Sequence, residues 1–216
     1  MRIKSRWFSG DGTPVHKSAA EQGSAMAFIV WRVAVNMLKR MRAARFDIDA
    51  GTPYFAFVRE VLVFLAVVAD RIAFERMATE QRQEFVVALV RHVARHLQGN
   101  ADDLLGPPLA GEPTHGERFI DLFNELAGHY AEFGAAPATA EVGAAFEPDF
   151  AFVRYLGTRL EPALPERDRR WVLDQVMAIE APEALGIVQR SMHELFDPAP
   201  QGGSARAGRR GRLTGD

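Results

Sequence analysis

The sequence predicts an all-α protein: a single bundle of six to seven helices, built from two internally duplicated three-helix units, with a disordered N-terminal arm and C-terminal tail. Three observations predict it. Apolar residues recur at steps of three and four through most of the chain. Ser, Thr, Pro and Gly stand where helices would start and stop. No segment alternates apolar and polar residues with the period of a strand.

Residues 1–17 read as a flexible basic arm, because Gly10, Gly12 and Pro14 interrupt any regular pattern. Ser18-Ala19-Ala20-Glu21 has the spacing of a capping box and opens the first helix, which runs to about Ala44. Phe28, Trp31, Val35, Leu38 and Met41 mark its apolar side. "FDIDAGTP" is a turn, and Pro53 suits the first position of a second helix reaching about Met77. Thr79 is placed to cap a third helix, which Gly99 would stop, with one short helical turn from Asn100 to Leu105. "GPPLAGEPT" (106–114) is a connector. Thr114 and Glu117 form a second capping-box pattern before a fourth helix, which Gly134 ends after Phe133. "AAPATAEVGAA" is a loop of small residues, and Pro148, Pro165 and Pro182 each suit the first turn of a further helix. The bundle would therefore occupy 18–197, and the Gly/Arg-rich tail 198–216 has nothing to bury.

The pentapeptide FAFVR occurs twice, at Phe55–Arg59 and Phe150–Arg154, each time two residues after a proline. Thr79-Glu80 with Phe85-Val86-Val87 is answered by Pro165-Glu166 with Trp171-Val172-Leu173. These collinear matches predict an internal duplication, with pseudo-repeats over about 18–99 and 115–180. Phe55 would superpose on Phe150 and Phe57 on Phe152.

Composition bounds the function. The chain has 216 residues and no cysteine, which removes disulfides, thiolate metal sites, iron–sulfur clusters and thiol nucleophiles together. A reducing, cytoplasmic location fits that absence. The apolar runs 25–38 and 61–69 are broken or bounded by Arg32, Asn36, Glu60 and Asp70, and read as buried core helices. A span would need about 20 apolar residues, so no transmembrane segment is expected. Residues 1–45 hold nine Lys/Arg against two acids, a balance of +7, and residues 199–216 carry +3. With a net charge of −2, the middle of the chain is strongly acidic.

The reactive constellations are few. His92 and His96 lie four apart on one predicted helix, as Glu125 and His129 do on the next, so a four-ligand metal site can be drawn between them. Arg91 and Arg95 flank the histidines and favour a solvated basic face instead. Ser191 and His193 are two apart, on different helix faces, and phosphate-binding glycine loops are absent. Lys39, Arg40, Arg42 and Arg45 close the first helix, where cations also suit the macrodipole. They are the candidate anion-binding residues. No catalytic residue and no cofactor is expected.

"YAEFG" (130–134) followed by "FEPDFAFVRYL" (146–156) resembles the signature of the TorD-type redox-enzyme chaperones. In that all-helical family a tyrosine-bearing helix precedes a loop and an E-P-x-D-H segment that opens a helix. Glu147, Pro148 and Asp149 match in type, but the spacing is one residue shorter and Phe150 stands at the family's histidine. The resemblance covers about 25 residues and implies a helical chaperone or adaptor.

The expected function is a non-enzymatic helical adaptor or client-binding chaperone with a protein partner. Homodimers are compatible with it, and nucleic acid is not an expected partner. Two alternatives stand beside it. One is a metal-binding or enzymatic bundle using His92, His96, Glu125 and His129. The other is an anion-binding module acting through the basic ends on nucleic acid or a membrane surface.

Overall fold

One helix fixes the arrangement of all the others. In α2 (Thr52–Arg76) every residue from Val61 to Ala69 is buried, so the helix is apolar on all sides. Such a helix is stable only when neighbours enclose it completely. The computed structural model describes residues 17–134 and 146–196, and it places α2 at the centre. Around it pack α1 (Ala19–Ala43), α3 (Thr79–Leu105), α4 (His115–Tyr130), α5 (Phe150–Leu160) and α7 (Ala181–Phe196). A 3-10 turn (Glu161–Ala163) leads from α5 to α6 (Glu166–Gln175), which a π turn (Val176–Glu180) joins to α7. Among the described residues there is no strand, and no helix is long and apolar enough to cross a membrane. The architecture is all-α, as the periodicity predicts. The arm, the tail and the small-residue loop lie almost wholly outside the described residues.

Both capping boxes form. The Ser18 hydroxyl accepts from the Glu21 amide at 3.2 Å, and the Glu21 carboxylate accepts from the Ser18 amide at 2.8 Å. Thr114 and Glu117 repeat the exchange at 3.1 and 2.8 Å. The Ser18→Ala protein should be less stable by about 1 kcal/mol in urea unfolding, with unchanged far-UV circular dichroism. A loss below about 0.3 kcal/mol would mean that packing alone holds the start of α1.

Close approach of α1 to α3 depends on a glycine. A Cβ at Gly23 would stand 2.3 Å from the Phe85 carbonyl oxygen, a backbone atom that cannot swing aside. The two helices meet there and pack along much of their length.

Several expected boundaries shift. Ala78, not Thr79, holds the N-cap position of α3. The helix also passes through Gly99 without stopping. Leu97 and Ala101 are both buried, so tertiary packing carries the helix past a residue of low propensity. The stop is Gly106, with φ of 83°. Asp149, not Pro148, begins α5: its carboxylate accepts from the Phe152 amide at 2.7 Å.

The largest departure is at Pro182, which does not start a separate helix. Backbone angles stay right-handed helical at Gln175, Val176 and Ala181, so α6, the π turn and α7 form one rod. In an unbroken α-helix the Pro182 ring would crowd the carbonyl four residues back and leave it without a donor. The wider turn immediately before it, in which the Ala181 amide reaches the Val176 carbonyl, absorbs that conflict.

The three-helix units do not pack alike. α1 lies along α3, whereas α4 makes its main contacts with α3 and α2 rather than with α6. The central α2 has 25 residues and its supposed counterpart α5 has 11. Phe57 and Phe152 are both fully buried, but Phe55 is 4% exposed and Phe150 is 68% exposed. The two copies of the pentapeptide therefore differ in burial and in the length of the helix that carries them. One pentapeptide lies in the first turns of an enclosed helix. Its copy begins a peripheral one, where the first residue projects past the cap.

Candidate functional site

A cleft of about 460 Å³ opens between the turn after α1 and the outer side of the rod. Arg45 and Phe46 form one wall. Asp168, Trp171, Gln175 and Ile179 belong to the other. Trp171, Gln175 and Ile179 follow at steps of four, so they form a stripe along the rod. Trp171 is 55% exposed and Ile179 is 50% exposed, large apolar side chains that the bundle leaves uncovered. The Arg170 guanidinium lies 5.0 Å from the Trp171 ring centre.

Both walls break local rules. α1 ends with the Arg45 amide bonded to the Arg42 carbonyl at 2.9 Å and the Phe46 amide to the Met41 carbonyl at 3.1 Å. That pattern is a Schellman stop, in which glycine ordinarily takes the left-handed position. Here Arg45 takes it, with φ of 70°, alone among the described non-glycine residues. A left-handed non-glycine residue costs about 1–2 kcal/mol. On the opposite wall, Ile179 sits in the π turn. Rare backbone geometry at both sides of one cleft is what functional sites tend to retain.

Behind the cleft lies an ion pair. Glu180 is 1% exposed, and its carboxylate accepts from Arg40 Nε at 2.8 Å and Gln175 Nε2 at 3.1 Å. Arg40 also reaches Glu183 at 2.9 Å. The pair ties the π turn to the last turns of α1.

Of the candidate anion-binding cations, Arg40 pairs with Glu180 and Glu183. Arg42 donates to the Ile48 carbonyl through Nε at 2.8 Å and through Nη2, and it sits over the Tyr54 ring. Lys39 is exposed, and Arg45 lines the cleft.

The drawn metal site does not assemble. His92 Nδ1 is 3.1 Å from the Ser24 hydroxyl of α1, and burial pushes the His92 pKa down, with Arg95 and His96 adding to the shift. His96 packs near Trp31 of α1, their ring centres 6.1 Å apart. His129 Nδ1 is instead 2.9 Å from the Tyr155 hydroxyl of α5, and Glu125 is exposed. Among the described residues no three His, Asp or Glu side chains are grouped to hold a metal.

The segments resembling the TorD-type signature do meet. Asp149 accepts from the Gly134 amide at 2.9 Å while capping α5, and so joins the end of α4 to the start of α5. Tyr130 packs on Phe152 with ring centres 4.7 Å apart, and on Tyr155 at 5.0 Å. Burial, with Glu60 and Tyr155 nearby, holds the Tyr130 hydroxyl well above its ordinary pKa. The motif residues here cap and fill a corner of the core.

The sequence pattern matches Trp171 to Phe85 in the expected duplication and gives Ile179 no part. The four-residue spacing of Trp171, Gln175 and Ile179 was available as a signal. What hid it is that burial is not local: the same four-residue spacing suits a buried helix side equally well. No family model, curated protein or solved structure matches this chain.

Proposed function

We propose that the chain is a non-enzymatic adaptor or client-binding chaperone that holds a peptide or helix of a partner protein in the Trp171 cleft. One observation carries the reading. Left-handed Arg45, the π turn and the uncovered side chains of Trp171 and Ile179 converge on the same cleft. An amphipathic partner would lay its apolar side on Trp171 and Ile179, as helices and peptides do in grooves. Aromatic anchors of this kind dominate binding energy at interfaces. Arg45 with Asp168 and Asp174 gives the rim both signs of charge, which would orient the partner. The resemblance of residues 130–134 and 146–156 to chaperones of redox enzymes points the same way.

The test is a tagged pull-down from native cells at low and moderate salt, with the wild-type chain and the Trp171→Ala protein side by side. The wild type should retain one stoichiometric protein at both salts, and Trp171→Ala should lose at least tenfold of it. Its melting temperature should stay within about 2 °C of the wild type, since exposed substitutions cost little. Equal capture by both proteins would remove the cleft from the interaction. Capture of nucleic acid or lipid alone, lost at moderate salt, would shift the function to the basic ends.

A further inference from the structure

A second cleft, of about 290 Å³, opens on another side of the bundle, between the start of α2, α4 and the 3-10 turn. Arg59, Glu60, Arg118 and Arg159 line it, together with the apolar surfaces of Ala56, Leu122, Pro162 and Ala163. Three guanidinium groups and one carboxylate share this space. Their partners divide them. Arg159 makes a two-pronged contact with Glu60, at 3.0 and 2.7 Å. Arg118 reaches Glu112 at 2.9 Å on the rim. Arg59 spends only Nε, on the Phe55 carbonyl at 3.2 Å, and no carboxylate among the described residues pairs with it.

The cleft therefore holds one uncompensated cation. It is also half-buried: burial pushes the Arg59 pKa down, Glu60 opposes the shift and Arg118 adds to it. Desolvation of an unpaired charge is costly, and an anion arriving there relieves that cost. Its two terminal nitrogens form the fork that matches the two oxygens of a carboxylate. One spare positive charge suits a monoanion better than a phosphate dianion, which the Glu60 carboxylate would also repel. The apolar part of the lining asks for a ligand with a short hydrocarbon body.

We infer that the Arg59 cleft binds a small aliphatic carboxylate, its oxygens on the Arg59 guanidinium and its chain against Leu122 and Pro162. This site is separate from the Trp171 cleft and does not depend on the function proposed for it.

Isothermal titration of the full chain at constant ionic strength, with acetate, hexanoate and inorganic phosphate, tests it. Hexanoate should saturate a single site, at least tenfold more tightly than acetate, because its four extra methylenes reach apolar surface. Phosphate should bind more weakly than hexanoate. Arg59→Gln should abolish hexanoate binding, and Arg59→Lys, which keeps the charge without the fork, should weaken it about five- to tenfold. Arg154→Gln, at the exposed arginine of the second copy of the pentapeptide, should bind as the wild type does. If Arg59→Gln fails to fold, the Arg59→Lys protein carries the test. The inference is overturned by absence of saturable hexanoate binding, by phosphate binding more tightly than hexanoate, by equal binding of acetate and hexanoate, or by unaltered affinity in Arg59→Lys.

Discussion

Phe57→Ala is expected to lower the unfolding free energy by about 3–5 kcal/mol, enough to bring a domain of ordinary stability close to unfolding at 37 °C. Phe57 is fully buried in α2, and α2 is enclosed by five other helices, so no side chain can move into the space without opening another contact. Phe152→Ala should fall in the same range. Its ring is fully buried and packs against Phe64 at 5.4 Å, Tyr130 at 4.7 Å and Phe146 at 5.6 Å. Phe150→Ala should cost less than about 0.5 kcal/mol, because that ring is 68% exposed. Urea unfolding of the three proteins, compared at equal slopes, checks the set. A near-neutral Phe57→Ala would show that the enclosure of α2 is looser than the packing implies. A costly Phe150→Ala would mean that its ring is covered in solution.

The contrast between the two pentapeptides shows what was legible in the sequence. Apolar spacing, capping boxes and Gly/Pro punctuation are local signals, and they located α1, α2, α4 and α5 to within a few residues. Burial is not local. FAFVR carries the same propensity in both places, but only long-range packing decides whether its first ring is enclosed by α2's neighbours or left beyond the cap of α5. Gly99 and Pro182 misled for the same reason. Each breaks helices in isolation, and each is overridden here, by the buried side of α3 in one case and by a π turn in the other.

The candidate sites were hidden more deeply. Arg45 was visible as a cation of the "KRMRAAR" cluster, but its left-handed backbone follows from how α1 ends. Arg40 read as one more member of that cluster, because its carboxylate partner lies 140 residues further on. Arg59 carried no signal of its own beyond closing the repeated pentapeptide. It is notable because the acid beside it, Glu60, is taken by Arg159.

Arg40→Met is the variant in which stability and the proposed function meet. It leaves Glu180 with 1% exposure, a carboxylate whose one remaining side-chain donor is Gln175. Removing one member of a buried pair costs about 3–5 kcal/mol when the pair is dry. Arg40 is 29% exposed, so water can reach the vacated space, and a loss of about 2–3 kcal/mol is the better expectation. Losing the contact to Glu183, itself 48% exposed, should add almost nothing. The double replacement Arg40→Met/Glu180→Met removes the stranded charge and should recover most of the loss, giving a coupling energy of at least 1 kcal/mol in a double-mutant cycle. The pair also holds the π turn that carries Ile179 against α1, so the single variant should release the cleft wall and weaken partner capture, whereas Ser18→Ala, costly only at the far end of α1, should not. A single variant that is destabilised yet captures the partner normally would separate the ion pair from the site, and a coupling energy near zero would mean that helix packing alone holds the π turn in place.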